Sequence, residues 1–578
     1  LSSRPAVVVL DNCEHLVSAC AELVQILLAG AAGLRVLATS REPLGVPGER
    51  VHPVRPLRAA AADEGWQQIA ESDAVRLFVD RATAVRPGLS VTAANAALVG
   101  EVCRRLDGLP LSIELAAARA AALPLAELVE RLDDRFTLLD SASRAADPRH
   151  RSLAAALAWG HDLLPAAERA LFAQLAVFPA GFDLTAARAV CGGPSDLALP
   201  LARLVASSMV HLDEQADGGG RYQLLESVRA FAGEQLDVPA RASLAARHAS
   251  HYLALAEEVR PRLFAAGSGP WLAQLHTERD NLRAALAWYF ETDPEQGVQL
   301  VRCLWHYWDL RGARDEGLHW VHTALAVVGP ERLDQRMPLL GAGAVLHVGR
   351  ADFAETVRLA TEQLALAEPG RARRGEGEAL AMLATVDWAR GRFDRAQQRY
   401  EDAVKASLAG ADVWNAAMAE AQLARLHRDR REPDAARQVA LRSLAHAEEV
   451  GEGLARGLAL DVLASLEFRW GDAAEASRLV ADALAVWRDV GYSEGEASAL
   501  CLAGEIAMRA GGCDPARDAF RAALELCRRI GHRAGTAAAL EGLATVATLS
   551  GATDEAGALG AEAAALRAEI GVPRLAAV

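Results

Sequence analysis

A period of 40 residues runs through the C-terminal half of this chain and constrains its fold more than any other feature. Counted in steps of that period from Ala351, the residues five positions into each copy are Thr356, Ala396, Ala436, Ala476, Ala516 and Ala556. The residues twelve positions into each copy are Gln363, Ala403, Ser443, Ala483, Ala523 and Ala563. Because small side chains let paired helices approach closely, the period predicts stacked copies of one helical unit.

Glycine recurs at a further phase of the same period. Gly451, Gly491, Gly531 and Gly571 lie twenty positions into the last four copies. A glycine just past a helix readily adopts the left-handed conformation that ends it. This phase therefore predicts the end of each second helix.

The clearest copy resembles a tetratricopeptide repeat. Its matching residues are Gly391, Phe393, Ala396, Tyr400 and Ala403, in the half that joins the first helix to the second. A period longer than the usual value of about 34 residues implies longer helices or longer loops. The resemblance covers most of residues 300–571 and implies a superhelix whose concave face binds peptides, proteins or small inducers.

Composition limits the classes of function. The 578 residues carry a net charge of −15, which argues against the whole chain as a nucleic-acid binder, since that affinity depends on neutralising phosphates. No apolar run is long enough to span a membrane, and the eight cysteines include no Cys-x-x-Cys pair. We therefore expect several domains in a reducing, cytoplasmic environment.

The chain contains a single lysine, Lys405, which lies outside any glycine-rich turn. A phosphate-binding P-loop requires such a lysine, so the sequence contains no Walker A motif. The first residue is Leu1 and not methionine, and we expect the N-terminus to be a truncation. The chain alone is therefore predicted to be inactive as an ATPase.

Two short apolar runs near the N-terminus predict adjacent strands of a parallel sheet. Residues 6–10 have the pattern of a strand buried on both faces, and they end at Asp11. An amphipathic helix follows, and a second apolar run, residues 34–38, leads to Thr39, Ser40 and Arg41. A carboxylate at the carboxyl end of such a strand points into the ligand crevice, where it can hold Mg²⁺ directly or through water. An ordinary strand-end aspartate is the alternative.

Three stretches together resemble the NB-ARC-type core of STAND regulators. They are residues 7–16, residues 36–42 and Gly108-Leu109-Pro110-Leu111. The resemblance is strongest to large bacterial transcriptional regulators that join this core to repeats.

This resemblance implies a nucleotide site. The strand-end carboxylate, here Asp11 beside Asn12, corresponds to the Walker B residue that binds Mg²⁺. The arginine after the next strand, here Arg41, corresponds to the sensor of the terminal phosphate, and the proline of Gly108-Leu109-Pro110 to the residue near the adenine. ATP or ADP with Mg²⁺ is therefore the expected cofactor of the intact protein, a slow ATPase.

Glu14 and His15 leave two interpretations open. They have the residue types of a catalytic acid and base. They also begin a helix, where the dipole favours a glutamate without any catalytic role.

We predict four segments and a mainly α fold. Residues 1–70 form the rear part of a P-loop NTPase core and residues 71–148 a helical lid that contains the Gly108 turn. Residues 149–237 form a winged helix, and residues 238–578 form a tetratricopeptide-like superhelix.

The winged-helix segment is predicted from helices followed by two strands, residues 209–212 and 222–225, around a glycine-rich turn. A DNA reader would need a basic recognition helix, but residues 199–208 contain only Arg203. In STAND proteins this module clamps the nucleotide, and we prefer that interpretation. The Met-His-Asp motif of such modules is replaced here by Leu224-Leu225-Glu226, which leaves nucleotide sensing by a histidine in doubt.

Two further groups of residues have competing interpretations. The run Trp305-His306-Tyr307-Trp308 has the composition of a ligand cage, but inter-helix packing is the preferred prediction. His248 and His251 share a helical face without companions at metal-ligand spacing, so we predict that both are solvated.

The preferred hypothesis is a signal-integrating switch of a transcriptional regulator, held closed by ADP and opened by ATP with an inducer or partner on the repeats. DNA contact is expected only through a domain outside this chain, of SARP type before residue 1 or LuxR type after residue 578. Homo-oligomer formation on activation stays open. A protein-binding scaffold without a nucleotide function is the alternative, and a metabolic ATPase is the least favoured.

Overall fold

The computed structural model describes residues 6–11, 13–31, 33–40, 43–52, 54–61, 64–86, 88–120, 123–132, 153–192, 197–214, 219–367, 375–451 and 453–570. The chain divides into two compact units, Leu1–His251 and Tyr252–Val578. The described part is mainly helical, as predicted, with a small parallel sheet near the N-terminus and a long array of helices in the second unit. No helix in these ranges is long and apolar enough to cross a membrane.

The first unit begins with the predicted βαβ element. β1 (Ala6–Leu10) and β2 (Leu34–Ala38) pair in parallel, and α1 (Val17–Gly30) connects them. The prediction that the first strand is buried on both faces is wrong, because Val7 and Val9 are 65% and 61% exposed. The reason is that no described element covers the face of the sheet on which these two side chains lie.

A bundle of short helices follows the sheet. Its members are α2 (Trp66–Glu71), α3 (Asp73–Val85), α4 (Ala96–Arg105), α5 (Pro110–Arg119) and α6 (Leu125–Arg131). Their apolar stripes converge on one core, in which Phe78, Leu106, Ile113 and Leu128 are fully buried. Pro110 takes the first position of α5, where its missing N–H group leaves no helical hydrogen bond unmade.

Helices and a hairpin form the remainder of the first unit. They are α7 (Leu153–Asp162), α8 (Ala166–Leu175), α9 (Leu184–Cys191), α10 (Ala198–Ala206), β3 (His211–Glu214), β4 (Gly220–Gln223) and α11 (Glu226–Glu234). The hairpin is antiparallel, with His211 opposite Gln223. Its strands lie two residues closer to the turn than predicted, and residues 215–218 of that turn lie outside the described ranges.

Aromatic side chains fill the core of this helix-and-hairpin part. Phe178 and Phe182 stack with ring centroids 4.4 Å apart, and His248 from α12 (Val238–Val259) packs edge-on against Phe178 at 5.4 Å. His248 is buried, so the prediction of a solvated histidine is wrong there. The aromatic neighbour, which the helical spacing of the histidines does not reveal, explains the burial.

The second unit is an array of helices joined by short turns. After α12 they are α13 (Gly269–Thr277), α14 (Arg279–Thr292), α15 (Pro294–Leu310), α16 (Arg314–Val327), α17 (Leu333–Gly349), α18 (Phe353–Leu366), α19 (Glu376–Ala389), α20 (Phe393–Ala409), α21 (Val413–Asp429), α22 (Pro433–Val450), α23 (Gly453–Trp470), α24 (Ala473–Val490), α25 (Ser493–Arg509), α26 (Cys513–Arg529), α27 (Arg533–Leu549) and α28 (Thr553–Ile570).

The 40-residue sequence period is also the structural period of the array. From α20 to α28 each helix contains 17 or 18 residues, so long helices and not long loops account for the period. Gly451 and Gly491 are left-handed residues that end α22 and α24, as predicted.

The small residues of the period lie between the helices. Those twelve positions into each copy, from Gln363 to Ala563, are all buried. Those five positions in are buried as well, with the exception of Ala556 in α28, the last described helix. A helix at the end of a stack has only one neighbour, which explains the exception.

A segment near the start of the second unit contacts turns far along the array. Three hydrogen bonds connect them: Ala266 N to Gly451 O (2.8 Å), Gly267 N to Asp489 Oδ2 (2.6 Å) and Ser268 Oγ to Val490 O (3.1 Å). These contacts connect the beginning of the array to the residue that ends α22 and to the last turn of α24.

Candidate functional site

The carboxyl ends of the two parallel strands are tied to each other. The hydroxyl of Thr39 donates a hydrogen bond to Oδ1 of Asp11. The backbone continues the connection, since Thr39 N donates to Leu10 O and Cys13 N donates to Thr39 O, both at 2.9 Å. The carboxylate of Asp11 is thus held at the edge of the sheet and is exposed there.

Only part of the predicted phosphate site falls within the described ranges. Asn12 and Arg41 lie outside them, so the approach of Arg41 to Asp11 stays a prediction. The same holds for an acid–base role of Glu14 and His15, because nothing is described of the His15 side chain. Thr39 is the partner of Asp11 that sequence reasoning did not single out.

The turn before α5 combines unusual backbone conformation with close packing. Asp107 and Gly108 both have positive φ, at 57° and 65°. Leu57 N donates to Gly108 O at 2.9 Å, and a Cβ added at Gly108 would overlap the carbonyl oxygen of Leu57. Gly108 is therefore needed both for its conformation and for its lack of a side chain. Leu109 and Pro110 follow in the positions that begin α5.

The side chain of Asp107 connects this turn to α11. Its carboxylate accepts hydrogen bonds from Glu226 N, Ser227 N and Ser227 Oγ, each at 2.9 Å. The first amides of a helix have no partner within the helix, and the residue before α11, Leu225, provides no side-chain cap. Asp107 therefore supplies from a distant part of the sequence the cap that α11 lacks.

The residues Leu224-Leu225-Glu226, which replace the Met-His-Asp motif, lead into this contact. Leu224 is buried, and Glu226 is the first residue of α11. The Glu226 side chain pairs with Arg229 at 2.6 Å. The segment thus brings the amide of Glu226, and not a histidine ring, to the turn that precedes Pro110.

The candidate recognition helix of the winged helix, α10, has little positive charge to offer. Its single base, Arg203, donates to Oε1 of Glu168 at 2.7 Å, and Glu168 is almost completely buried. The hydrogen bond from Arg203 lowers the pKa of Glu168 and keeps it ionised. Leu199, on the same helix, is 57% exposed.

The aromatic run in α15 serves two purposes. Tyr307 and Trp308 are buried between helices, as the packing interpretation predicts. Trp305 and His306 instead line a cavity of about 280 Å³ within the second unit. The packing interpretation is therefore confirmed for Tyr307 and Trp308, and a ligand cage around Trp305 and His306 stays a prediction.

The donor set at the strand ends is composed of oxygen atoms. Asp11 contributes a carboxylate and Thr39 a hydroxyl, which are ligands that suit Mg²⁺ with water completing the coordination. Among the described residues no cluster of three or more His, Cys, Asp or Glu side chains could hold a metal by itself. The residues present fit a magnesium ion that is bound together with a nucleotide.

Comparison with known families identifies a winged helix-turn-helix domain in residues 164–237. The chain is 42% identical over 337 residues to "Putative HTH-type transcriptional regulator Rv0890c" of Mycobacterium tuberculosis, an alignment that covers 56% of this chain and 36% of that protein. It is 40% identical over 275 residues to "Uncharacterized protein Rv0894" of the same organism, covering 46% of this chain and 66% of that protein. The chain thus spans about a third of the length of the first of these relatives.

Solved structures with similar folds include helical-repeat proteins. A STAND protein with a tetratricopeptide repeat sensor from Pyrococcus horikoshii matches 98% of this chain and 78% of that one, with 15% identity and a TM-score of 0.43. A Rap protein in complex with competence and sporulation factor matches 60% of this chain and 92% of that one, with 11% identity and a TM-score of 0.43. At these values the likeness carries no argument about function.

The winged helix-turn-helix domain lies within the chain itself. The expectation that DNA contact depends only on a domain outside the chain is therefore in doubt. What the comparisons show is a chain with a winged helix-turn-helix domain and a helical-repeat superhelix, similar to HTH-type transcriptional regulators.

Proposed function

We propose that this chain is the signal-integrating part of a nucleotide-dependent transcriptional regulator. ATP or ADP with Mg²⁺ acts on the first unit, and the helical repeats of the second unit receive an inducer or a partner. The observation that carries this proposal is the contact of Asp107 with the start of α11, because it connects the predicted adenine-side turn directly to the winged helix.

Four residues of the first unit would bind the magnesium ion or the nucleotide. Asp11 and Thr39 would hold the magnesium ion, whose chemistry is to neutralise the charge of the phosphates. Leu109 and Pro110 would line the adenine side of the site. Leu109 and Pro110 follow Asp107 by two and three residues, so their movement would reach Asp107 along the backbone and α11 through the Asp107 carboxylate.

The free energy of the Asp107 hydrogen bonds limits the coupling between nucleotide binding and the winged helix. A ligand shifts a two-state equilibrium only by its difference in affinity for the two states, commonly about 1–3 kcal/mol for allosteric coupling. Hydrogen bonds to a charged acceptor are worth about 1.5–3 kcal/mol when buried and less when they are part-exposed, as these are. Breaking the Asp107 contact in one state is sufficient for coupling of that size.

The test uses the protein expressed from its complete reading frame. ADP and ATP affinities are measured by calorimetry with Mg²⁺ and with EDTA for the wild type, Asp11→Asn and the surface control Asp80→Asn. We expect Asp11→Asn to lose most of the Mg²⁺ dependence and Asp80→Asn to keep it. Equal Mg²⁺ dependence in all three proteins would reject the role of Asp11.

A second candidate function, DNA binding by the winged helix, is favoured by the family match over residues 164–237. The test is fluorescence anisotropy with duplex DNA at low and moderate salt, comparing the wild type with Arg188→Ala and Arg203→Ala. Arg188 is exposed on α9 and Arg203 pairs with Glu168 on α10. DNA binding that both variants weaken, with a smaller salt dependence, would favour this function over an internal clamp.

The scaffold alternative makes a different prediction. If the second unit only presents a protein-binding surface, partner binding will be the same with ADP, with ATP and without nucleotide. Under the switch proposal, partner affinity measured with the same repeats should change with the bound nucleotide. Binding that survives deletion of residues 300–571 would contradict both interpretations of the repeats.

A further inference from the structure

The second unit encloses a cavity that is small enough to select a small molecule. Its volume is about 280 Å³, near the lower end of the range of about 300–1,000 Å³ that is typical for pockets of drug-sized ligands. Most of its lining comes from α15, α17, α19, α21 and α23, and the first residues of α16 and α25 add Arg314 and Glu494. This volume excludes a folded partner and suits a small molecule.

Phe264, near the N-terminal end of the array, packs against two aromatic rings that line this cavity. Phe264, from a 3-10 turn at residues 260–264, stacks on His306 with ring centroids 4.3 Å apart and nearly parallel planes. Its ring also meets the Trp414 ring edge-on at 5.3 Å. The hydrogen bonds from residues 266–268 to Gly451, Asp489 and Val490 hold the chain that follows Phe264 in place.

Arg425, on α21, brings a positive charge to the wall of the cavity without a matching carboxylate. Its guanidinium donates to Oε1 of Gln422 at 3.0 Å and lies 5.3 Å from the centroid of the Trp388 ring. In the part of the chain that the structure describes, no carboxylate forms an ion pair with it, and Asp429 and Asp461 act on it only at longer range. Burial lowers the pKa of Arg425, because a guanidinium removed from water is poorly solvated in its charged form.

Arg314, the other arginine that lines the cavity, differs from Arg425 because it has carboxylate partners. Arg314 forms ion pairs with Asp309 at 3.2 Å and with Glu494 at 2.7 Å. Tyr492 adds a hydrogen bond to Glu494. This cluster has two carboxylates for one guanidinium, so it has no capacity left for an anion, whereas Arg425 has.

Two polar atoms of cavity-lining side chains also have no partner. Nε1 of Trp414 and Nδ1 of His306 are buried and form no hydrogen bond with any described residue. Leaving a buried polar group unpaired costs about 1–3 kcal/mol. Burial lowers the pKa of His306 to about 3, so its ring is neutral and can accept or donate one hydrogen bond to a ligand.

Glu378 also lines the cavity. It lies near the start of α19, and its Oε2 accepts from Nε2 of Gln363 at 2.8 Å. The apolar side chains of the lining include Met382, Met418 and Val345.

We propose that this cavity binds a small organic acid, with its carboxylate on Arg425 and an apolar or aromatic body against Met382, Met418 and Trp414. The inference rests on the proposed function, in which the repeats receive an inducer, and it names the chemical class of that inducer. A single uncompensated guanidinium matches a single negative charge. A phosphate dianion would leave one of its two negative charges without a partner at Arg425.

The experiment titrates the whole chain with three probes that share an indole ring: indole-3-propionate, its neutral amide, and tryptamine. We expect calorimetry to show binding of the acid and affinities at least about tenfold weaker for the amide and the amine. Equal affinities for acid and amide would overturn the proposal. Absence of any heat from the acid at about 5 mM would overturn it as well.

Variants assign the carboxylate to its partner. Arg425→Met should weaken binding of the acid by about ten- to hundredfold without affecting the amide, and Arg425→Lys should restore part of the loss. Arg528→Met, which removes an exposed ion pair with Glu562, is the matched control and should bind as the wild type does. Unchanged binding in Arg425→Met would reject the assignment.

A second variant keeps the proposal testable if Arg425→Met does not fold. If Arg425→Met fails to fold by circular dichroism, Trp414→Phe keeps an aromatic ring but is smaller and lacks the indole N–H, and it should weaken binding of the acid several-fold. Unchanged binding in that variant would then count against the cavity. Nucleotide binding to the first unit is measured without these probes, so a failure here leaves the test at Asp11 informative, and the reverse also holds.

Discussion

Asp107 accepts hydrogen bonds from both the backbone amide and the hydroxyl of Ser227, a residue 120 positions away in the sequence. The acceptor lies in a turn with positive φ, and the donors lie in the first turn of α11. One carboxylate therefore joins the helical bundle of α2–α6 to the winged helix. Any change in that turn is transmitted to the helix that it caps.

Replacing Asp107 with alanine should destabilise the first unit by about 1–2 kcal/mol, the usual loss for a helix cap. Asp107→Asn tolerates the left-handed backbone and keeps one acceptor, so it should lose less. Urea unfolding monitored by fluorescence measures both. A loss for Asp107→Ala within about 0.3 kcal/mol of zero would show that the contact does not contribute to stability.

Gly108→Ala should cost more than about 2 kcal/mol, because it combines a left-handed alanine with an overlap on the Leu57 carbonyl. Gly88→Ala is the matched control. Gly88 also has positive φ but nothing within 4 Å of an added Cβ, so only the backbone penalty applies. Equal losses for the two variants, measured by thermal unfolding, would contradict the packing argument at Gly108.

Glycines inside the repeat helices should respond in opposite directions. An added Cβ at Gly457 in α23 would overlap the buried Trp487 ring, so Gly457→Ala should destabilise the second unit by about 1–3 kcal/mol. Gly557→Ala in α28 meets nothing within 4 Å and should stabilise by about 0.5–1 kcal/mol through helix propensity. Chemical denaturation measures the free energy of unfolding of both variants and of the wild type. A change of the same sign in both variants would contradict this prediction.

The cavity wall predicts a dependence of stability on pH. Burial raises the pKa of Glu378 to about 7 from an ordinary value of 4.5, and the nearby charge of Asp412 adds to the shift. A carboxyl group with a raised folded-state pKa gives its full stabilisation below pH 4.5 and loses it progressively as the pH rises to about 7. Glu378→Gln should therefore melt higher than the wild type at about pH 8, with a smaller difference at about pH 5.

The control for this pH series is Glu376→Gln, two residues earlier on the same helix. Glu376 is not among the residues that line the cavity, so the melting temperature of Glu376→Gln should follow the wild type at both pH values. A Glu378→Gln protein that differs from the wild type by the same amount at both pH values would show that the effect is not due to ionisation.

The repeats could be predicted in detail because their information is local and periodic. Ala396, Ala436 and Ala476 recur at a fixed phase, and that phase determines both helix spacing and burial. Gly451 and Gly491 end their helices for the same reason. A pattern repeated along the chain in this way averages out the exceptions of a single copy.

The connections at the site could not be predicted, because they depend on distant parts of the sequence. Nothing around Asp107 indicates Ser227, and nothing around Asp11 selects Thr39 over its neighbours. The predicted burial of Val7 and Val9 was wrong because an apolar run reports preference and not the presence of a covering element. The unpaired charge of Arg425 becomes apparent only when the surrounding helices are in place.

In stacked repeats each unit contacts only its neighbours, and the stability of the array is a sum of the stabilities of single repeats and of the interfaces between neighbours. The hydrogen bonds from residues 266–268 to Gly451 and Val490 connect parts of this array that are not neighbours in the stack, and we call this connection the clasp. Amide exchange across residues 264–490 should consequently occur as one cooperative event, while α27 and α28 beyond the clasp fray earlier. A molecule that breaks these hydrogen bonds would therefore lower the stability of every repeat between residues 264 and 490.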